Sequence, residues 1–427
     1  MLTSVTHVSA RERIAHVVRR LGIGPHPDLL AGLTDPDSAV TRALDLSGHS
    51  PVPPAMPAPA SLRASRPADI VPLIGWWVDQ MRLPSRLIEE RLVWFWHDHF
   101  ATSLQKVRAP YLFRQQHVTV REHATASYAD LLHAVAKDPA MLLFLDGITN
   151  TVDKSNENFG RECMELFTMG RDGGYTQADV VSASRSFTGW IVNLPELPSS
   201  ARLSEAGIAP WTAAFLPRRH DDTTKTLLKH TGNFDLDSAL DVILGDPSTG
   251  TFIATKLYRE LVGSDPSTAT ARRLGANFAR NYQIMPLVEA IVAEPAFTSD
   301  AAVRNRVRTP VEKLVGILQA GNVTTTGERA GVAAQALHTG DYLPFLPPNV
   351  GGFPSGTLLL GPHDLVTAFD LLDTLGGPPT PPPRVDDLLA TFGIFDVSSS
   401  TRSVLDAESD PARRFALAAM SPEFAVT

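Results

Sequence analysis

The chain has 427 residues, 43% hydrophobic and 20% charged, with a net charge of −8 and a single cysteine, Cys163. One cysteine excludes an intramolecular disulfide and a Cys-based zinc or iron–sulfur centre. An acidic balance with no basic block argues against an electrostatic grip on nucleic acid or anionic lipid. No uninterrupted apolar stretch reaches about 18 residues, so no membrane span is expected.

The predicted elements, taken in chain order, are mostly helical. Residues 1–24 hold four arginines and no apolar run of leader length, so the expected location is cytoplasmic unless an export leader has been removed. Ile14, Val17, Val18 and Leu21 make an i, i+3, i+4, i+7 stripe over Arg11 to Leu21. The run 49–67 is too rich in proline to hold a helix and reads as a surface segment. Arg86 to Phe100 carries Ile88, Leu92, Phe95, Trp96 and Phe100. Glu157 to Met169 reads as a helix stopping at Gly170, and Thr176 with Asp179 as a capping box whose helix ends near Gly189. Trp211–Leu216 suggests a short strand within a small hairpin around 190–217. Thr224–Leu228 reads as the start of a helix, and Pro310 fits the first turn of Val311–Gln319. The expected fold is mainly α: a large multi-helical single domain over 1–376, with long Pro/Gly-rich loops and at most a small β-hairpin. A Pro-rich linker and helical tail follow over 377–427.

Four polar islands interrupt this apolar pattern. In WFWHDHF, 94–100, His97 and His99 lie two apart, about 200° around an ideal helix, and could share a metal only if the helix ends there. HxH is a common ligand spacing; the bland alternative is a core histidine bonded to a carbonyl. The segment 145–167 has Ile148 and Thr151 where a calcium loop opening at Asp146 needs a ligand at position 3 and a glycine at position 6. It does place Asn158, Glu162 and Glu165 on one helical stripe, with Arg161 four residues from both Glu157 and Glu165. The bland alternative there is a solvated face of i, i+4 ion pairs. His220 and Asp221, with Lys225 nearby, suit metal ligation or an oriented base. The rigid loop LPPNVGGFPSG, 346–356, has Asn349 as its polar centre.

The blocks HVVRRLGIG, FWHDHF, DPAMLLFLDG, NENFGRECMELFTMG, YTQADVVSASRSFTGW, RRHDDTTKTLL, RTPVEKLVGIL and PPNVGGFPSG occur in that order. Together they resemble the bacterial family known as domain of unknown function 1800, over about residues 16 to 375. That family's pattern has HNHF where Asp98 stands here, and an aliphatic residue at Cys163, which implies a core thiol. Its loop pattern has another aromatic and a glycine at Phe353 and Ser355. The resemblance implies a largely helical domain and supplies no reaction.

The leading expectation is a metal-dependent enzyme, oxidising or hydrolysing a small polar or anionic substrate with an inward-facing His/Glu cluster. Its metal would be iron, copper, manganese or zinc. His97, His99, His220 and Glu157 are the candidate ligands. Glu162, Arg161, Glu165 and Asp221 are the candidate catalytic groups, and Asn156, Asn158, Lys225 and Asn349 the candidate substrate contacts. The alternatives are a metal-free acid–base enzyme and a non-catalytic binding or scaffold protein with buried polar networks. No G-x-S-x-G, G-x-G-x-x-G or Walker motif occurs. Nothing in the sequence fixes the oligomeric state.

Overall fold

The computed structural model describes residues 8–47, 56–57, 67–359 and 381–427. Most of the proline run 49–67 and part of 376–384 therefore lie outside the described residues. The fold is mainly α, with two small two-stranded antiparallel sheets among the described residues.

Local chemistry accounts for the helix starts. Ser9 caps Ala10–Leu21 by accepting from the Glu12 N–H. Thr176, Asp235 and Thr309 close capping boxes on Gln177–Ser186, Leu236–Leu244 and Pro310–Ala320. The helix opened by Thr176 ends at Ser186, short of Gly189, because strand β1 (Trp190–Val192) must begin there. β1 pairs with β2 (Ala213–Phe215), as the hairpin reading anticipates, although the helix Ser200–Glu205 interrupts the connection.

Two elements differ from expectation. The helix expected at Thr224–Leu228 is strand β3 (Lys225–Leu227), paired with β4 (His230–Gly232). The two-residue turn between them puts Leu228 at φ 48° and Lys229 at φ 69°. That is the geometry of a tight hairpin, built without the Asn-Gly signature that normally announces it. The run Glu157 to Met169 is an α-helix over Glu157–Glu162 continued by a π-helical turn over Cys163–Thr168. The wider turn breaks the i, i+4 neighbourhood of Arg161 and Glu165. Arg161 keeps Glu157 at 2.7 Å, while Glu165 pairs with Arg171 at 2.5 Å.

The helix Leu87–His99 runs through the middle of the core, and every residue of it is buried except Asp98, which is half-buried. Charges carried into a core by a surrounded helix must be paired, and Glu90 and Arg91 are. Glu90 receives both guanidinium arms of Arg121 at 2.8 and 2.7 Å and the Trp77 indole at 3.1 Å. Arg91 reaches Glu260 and Glu312, each at 2.8 Å. One hydrophobic cluster extends from Ile14 to Phe424 and includes Phe392 and Phe415 from the last helices. The chain end ties back as well: Arg308 N–H donates to Ala425 O at 2.9 Å and Thr427 N–H to Arg306 O at 2.7 Å. No helix among the described residues is long and apolar enough to cross a membrane.

Candidate functional site

A cleft of about 490 Å³ opens beside the C-terminal end of the helix Leu87–His99, a volume suited to a small-molecule ligand. Its lining comes from distant parts of the chain. Trp94, Phe95 and Asp98 come from the central helix, and Lys256, Arg259 and Glu260 from the helix Pro247–Val262. Arg306 comes from the segment held by the chain end, with Tyr342 and the loop residues Gly351, Phe353 and Ser355 completing the rim. Trp94, Tyr342 and Phe353 form an aromatic wall. Trp94 stacks on Phe353 with ring centres 5.7 Å apart, and Tyr342 lies 4.6 Å from Phe353.

Most charges around this cleft neutralise one another. Arg259 pairs with Asp265, and Arg306 with Glu312. Glu260 is shared between Arg91 at 2.8 Å and Arg306 at 3.9 Å. Asp98 and Lys256 are different. Asp98 Oδ1 accepts the Phe353 N–H at 2.7 Å, and no ion pair to it exists among the described residues. Burial pushes its carboxyl up to about 6. Lys256 Nζ stands 2.9 Å from His99 Nδ1, and burial pushes its ammonium down to about 8 against the pull of Asp98. The loop is shaped to meet Asp98: Gly352 has φ 92°, and a Cβ there would run into the Asp98 carboxylate.

A family model described as Protein of unknown function (DUF1800) matches residues 16–426. The chain belongs to the DUF1800 family. The match reaches about seventy residues beyond the last of the ordered blocks and takes in the C-terminal helices. No curated protein and no solved structure matches this DUF1800 chain.

The structure does not bring the predicted metal ligands together. Among the described residues no group of three or more His, Cys, Asp or Glu side chains is placed to hold a metal ion. The helix does end at His99, yet the two rings still face different neighbours. His97 Nε2 accepts the Phe345 N–H at 3.1 Å, its ring packs against Trp77 and Phe345, and burial pushes it down to about 3. His99 Nε2 lies 3.0 Å from Phe167 O, and burial holds this ring well below the usual histidine range. Both are neutral core histidines: His97 is engaged by the protein through Nε2 and His99 through both ring nitrogens. His220 Nδ1 meets Thr188 at 3.1 Å, and Asp221 pairs with Arg185 at 2.7 Å, so the two do not form an oriented base pair. Although burial opposes the charge of Asp221, the bonds from Arg185 and Thr223 hold its carboxyl well below the usual range.

The remaining predicted residues have local duties. Lys225 Nζ donates to the carbonyls of Asp221, Thr223 and Phe234 and stitches the base of the β3–β4 hairpin. Asn156 caps its helix through the Asn158 N–H at 2.9 Å, and Asn158 reaches Asp146 at 3.2 Å. Glu157 binds Arg161 and Gln177. Glu162 is half-buried with its carboxyl raised, first by burial and then by Glu165, and it does not line the cleft. Asn349 turns its own loop by accepting the Gly351 N–H at 2.8 Å and is exposed, while its neighbours Gly351 and Phe353 face the cleft. Cys163 is buried with its thiol pushed up to about 12, which agrees with a core role.

Sequence reasoning marked Asp98 only as a departure from the family pattern and passed over Lys256, Arg306 and Tyr342. One faint signal existed. Only seven of the 38 basic residues are lysine, and Lys256 sits inside an apolar helical repeat with Ile253, Leu257 and Leu261.

Proposed function

We propose that this protein is an enzyme performing acid–base chemistry on a small polar or anionic substrate bound in the cleft. The observation that carries the reading is that a carboxyl and an amine, both moved toward neutral pH and neither cancelled by an ion pair, line one small-molecule-sized cleft. Asp98 is the proton-transfer group, held in aim by the Phe353 N–H. Lys256 meets the polar end of the substrate. Arg306 supplies a fixed positive charge nearby: burial opposes it, but Glu260 and Glu312 hold it firmly ionised. The wall of Trp94, Tyr342 and Phe353 covers the apolar part of the substrate and strengthens electrostatics by excluding water.

The test is to incubate the full chain with a small-metabolite extract and follow all masses by mass spectrometry. Wild type consumes one or more species. Asp98→Asn, which keeps the acceptor for the Phe353 N–H, slows that consumption about 10²–10⁴-fold with a melting temperature no lower than that of wild type. Equal consumption by the variant would refute the reading.

A further inference from the structure

We propose that Lys256 is the nucleophile of the cleft and that the substrate class is an aldehyde or ketone, held as an imine on Nζ. The inference rests on the acid–base reading above and names its substrate.

The argument starts at His99. Its Nε2 lies 3.0 Å from the Phe167 carbonyl, which can only accept, so Nε2 carries the ring proton. Nδ1 is therefore a lone pair, and it faces Lys256 Nζ at 2.9 Å. A carboxylate in this position would hold an ammonium as a charge. A neutral imidazole instead engages one N–H and leaves the rest of the amine toward the cleft. The other cations lining the cleft, Arg259 and Arg306, have carboxylate partners, whereas Lys256 has none among the described residues. The charged and titratable groups around it are Asp98 and His99 of the central helix, Arg259 and Glu260 of its own helix, Arg306, and Tyr342. The downward shift of the ammonium agrees with this arrangement. A desolvated lysine beside an acid of intermediate strength is the equipment that carbonyl condensation requires.

The step balances without a further reactant. The Nζ lone pair forms an N–C bond to the carbonyl carbon, and the C=O π pair moves to oxygen, which takes one of the two protons from the nitrogen. Protonated Asp98 then delivers a proton to the leaving hydroxyl, water departs, and the nitrogen's remaining proton returns to Asp98. Amine and carbonyl compound give imine and water, and the carboxyl ends as it began. The aromatic wall of Trp94, Tyr342 and Phe353 limits the water that would reverse the step.

The experiment treats the full chain at about pH 8 with pyruvate, and separately with benzaldehyde, in the presence of cyanoborohydride, and maps reduced adducts by peptide mass spectrometry. Lys154 and Lys229, both exposed, serve as internal references. Adduct on Lys256 with either probe exceeds that on the references by about tenfold, set by its larger neutral fraction at this pH and reduced by its narrower access. Modification of Lys256 no greater than the references with both probes overturns the proposal. Lys256→Arg keeps a cation but no nucleophile; it abolishes extract consumption if the imine forms, and retained consumption also overturns the proposal. Unmodified Lys256 with consumption still lost in Asp98→Asn removes the imine and leaves the acid–base reading standing. Trapped Lys256 with full consumption by Asp98→Asn does the reverse.

Discussion

His99 and Lys256 are joined side chain to side chain, Nδ1 to Nζ at 2.9 Å, across two helices 157 positions apart in sequence. The imidazole is fixed from behind by the Phe167 carbonyl, which also accepts from the Tyr128 hydroxyl. The π-helical turn that contains Phe167 thus sets the orientation of a lysine on another helix. Replacing His99 by Leu leaves Lys256 in its half-buried place without its partner. A loss of about 1–3 kcal/mol in urea unfolding is expected. A loss under about 0.5 kcal/mol, the range of ordinary surface changes, would show that the contact does not matter.

Asp98 makes stability depend on pH in a direction opposite to most carboxylates. Burial raises it from the ordinary 3.8 to about 6, so the folded chain holds this proton more tightly than the unfolded chain. Its contribution is complete below about pH 4 and is lost as pH rises through about 6. Asp98→Asn has no such loss. It should be more stable than wild type by up to about 3 kcal/mol at pH 8, with the gap closing toward pH 4. Paired urea titrations at the two pH values check this; a constant or inverted gap contradicts it.

Glu312 behaves in the opposite sense. Burial works against its charge, but Arg306 and Arg91 hold it well below the usual carboxylate range. It also accepts the Thr309 N–H at 2.8 Å. Removing one partner from a buried ion network is costly, and Glu312→Gln should lose about 3–5 kcal/mol at neutral pH. Because the folded-state value is depressed, the deficit should shrink as pH falls below about 4. Thermal unfolding across that range is the measurement.

Two glycines should respond with opposite signs. Gly352 has φ 92° and no room beside Asp98, so Gly352→Ala should cost about 1–3 kcal/mol and slow extract consumption by displacing the carboxyl. Gly331 lies within the helix Glu328–Thr339 with open space where a Cβ would sit. Gly331→Ala should stabilise by up to about 1 kcal/mol and leave consumption unchanged. Melting temperatures and the extract assay read both.

His220 separates the cleft from the cluster anticipated in the sequence. From the loop between β2 and β3 it bonds the buried Thr188 and packs against Phe215. His220→Ala should change stability by less than about 1 kcal/mol and leave extract consumption intact. Loss of consumption at native stability would return function to that loop.

The helices were readable because their signals are local. Ile14, Val17, Val18 and Leu21 repeat at helical spacing, and Thr176 with Asp179 and Thr309 with Glu312 sit three apart at helix starts. The π-turn at Cys163–Thr168 was not readable, since no proline or glycine within it marks the extra residue. The site was half legible. The blocks around His97 to His99 and Gly351 to Phe353 do border the cleft, but attention fell on imidazoles that face core neighbours. Asp98, between them, faces the cleft because one helical step is about 100°. Lys256, Arg306 and Tyr342 reach it from segments far apart in sequence, and no local spacing announces a meeting made by tertiary packing.

The most direct test is a site-resolved NMR titration. With seven lysines in the chain, selective labelling resolves Lys256, and carboxyl labelling compared with Asp98→Asn assigns Asp98. The account predicts midpoints near 6 for Asp98 and near 8 for Lys256. Midpoints at the ordinary 3.8 and 10.5 would mean that the cleft tunes neither group, and the acid–base assignment would fall.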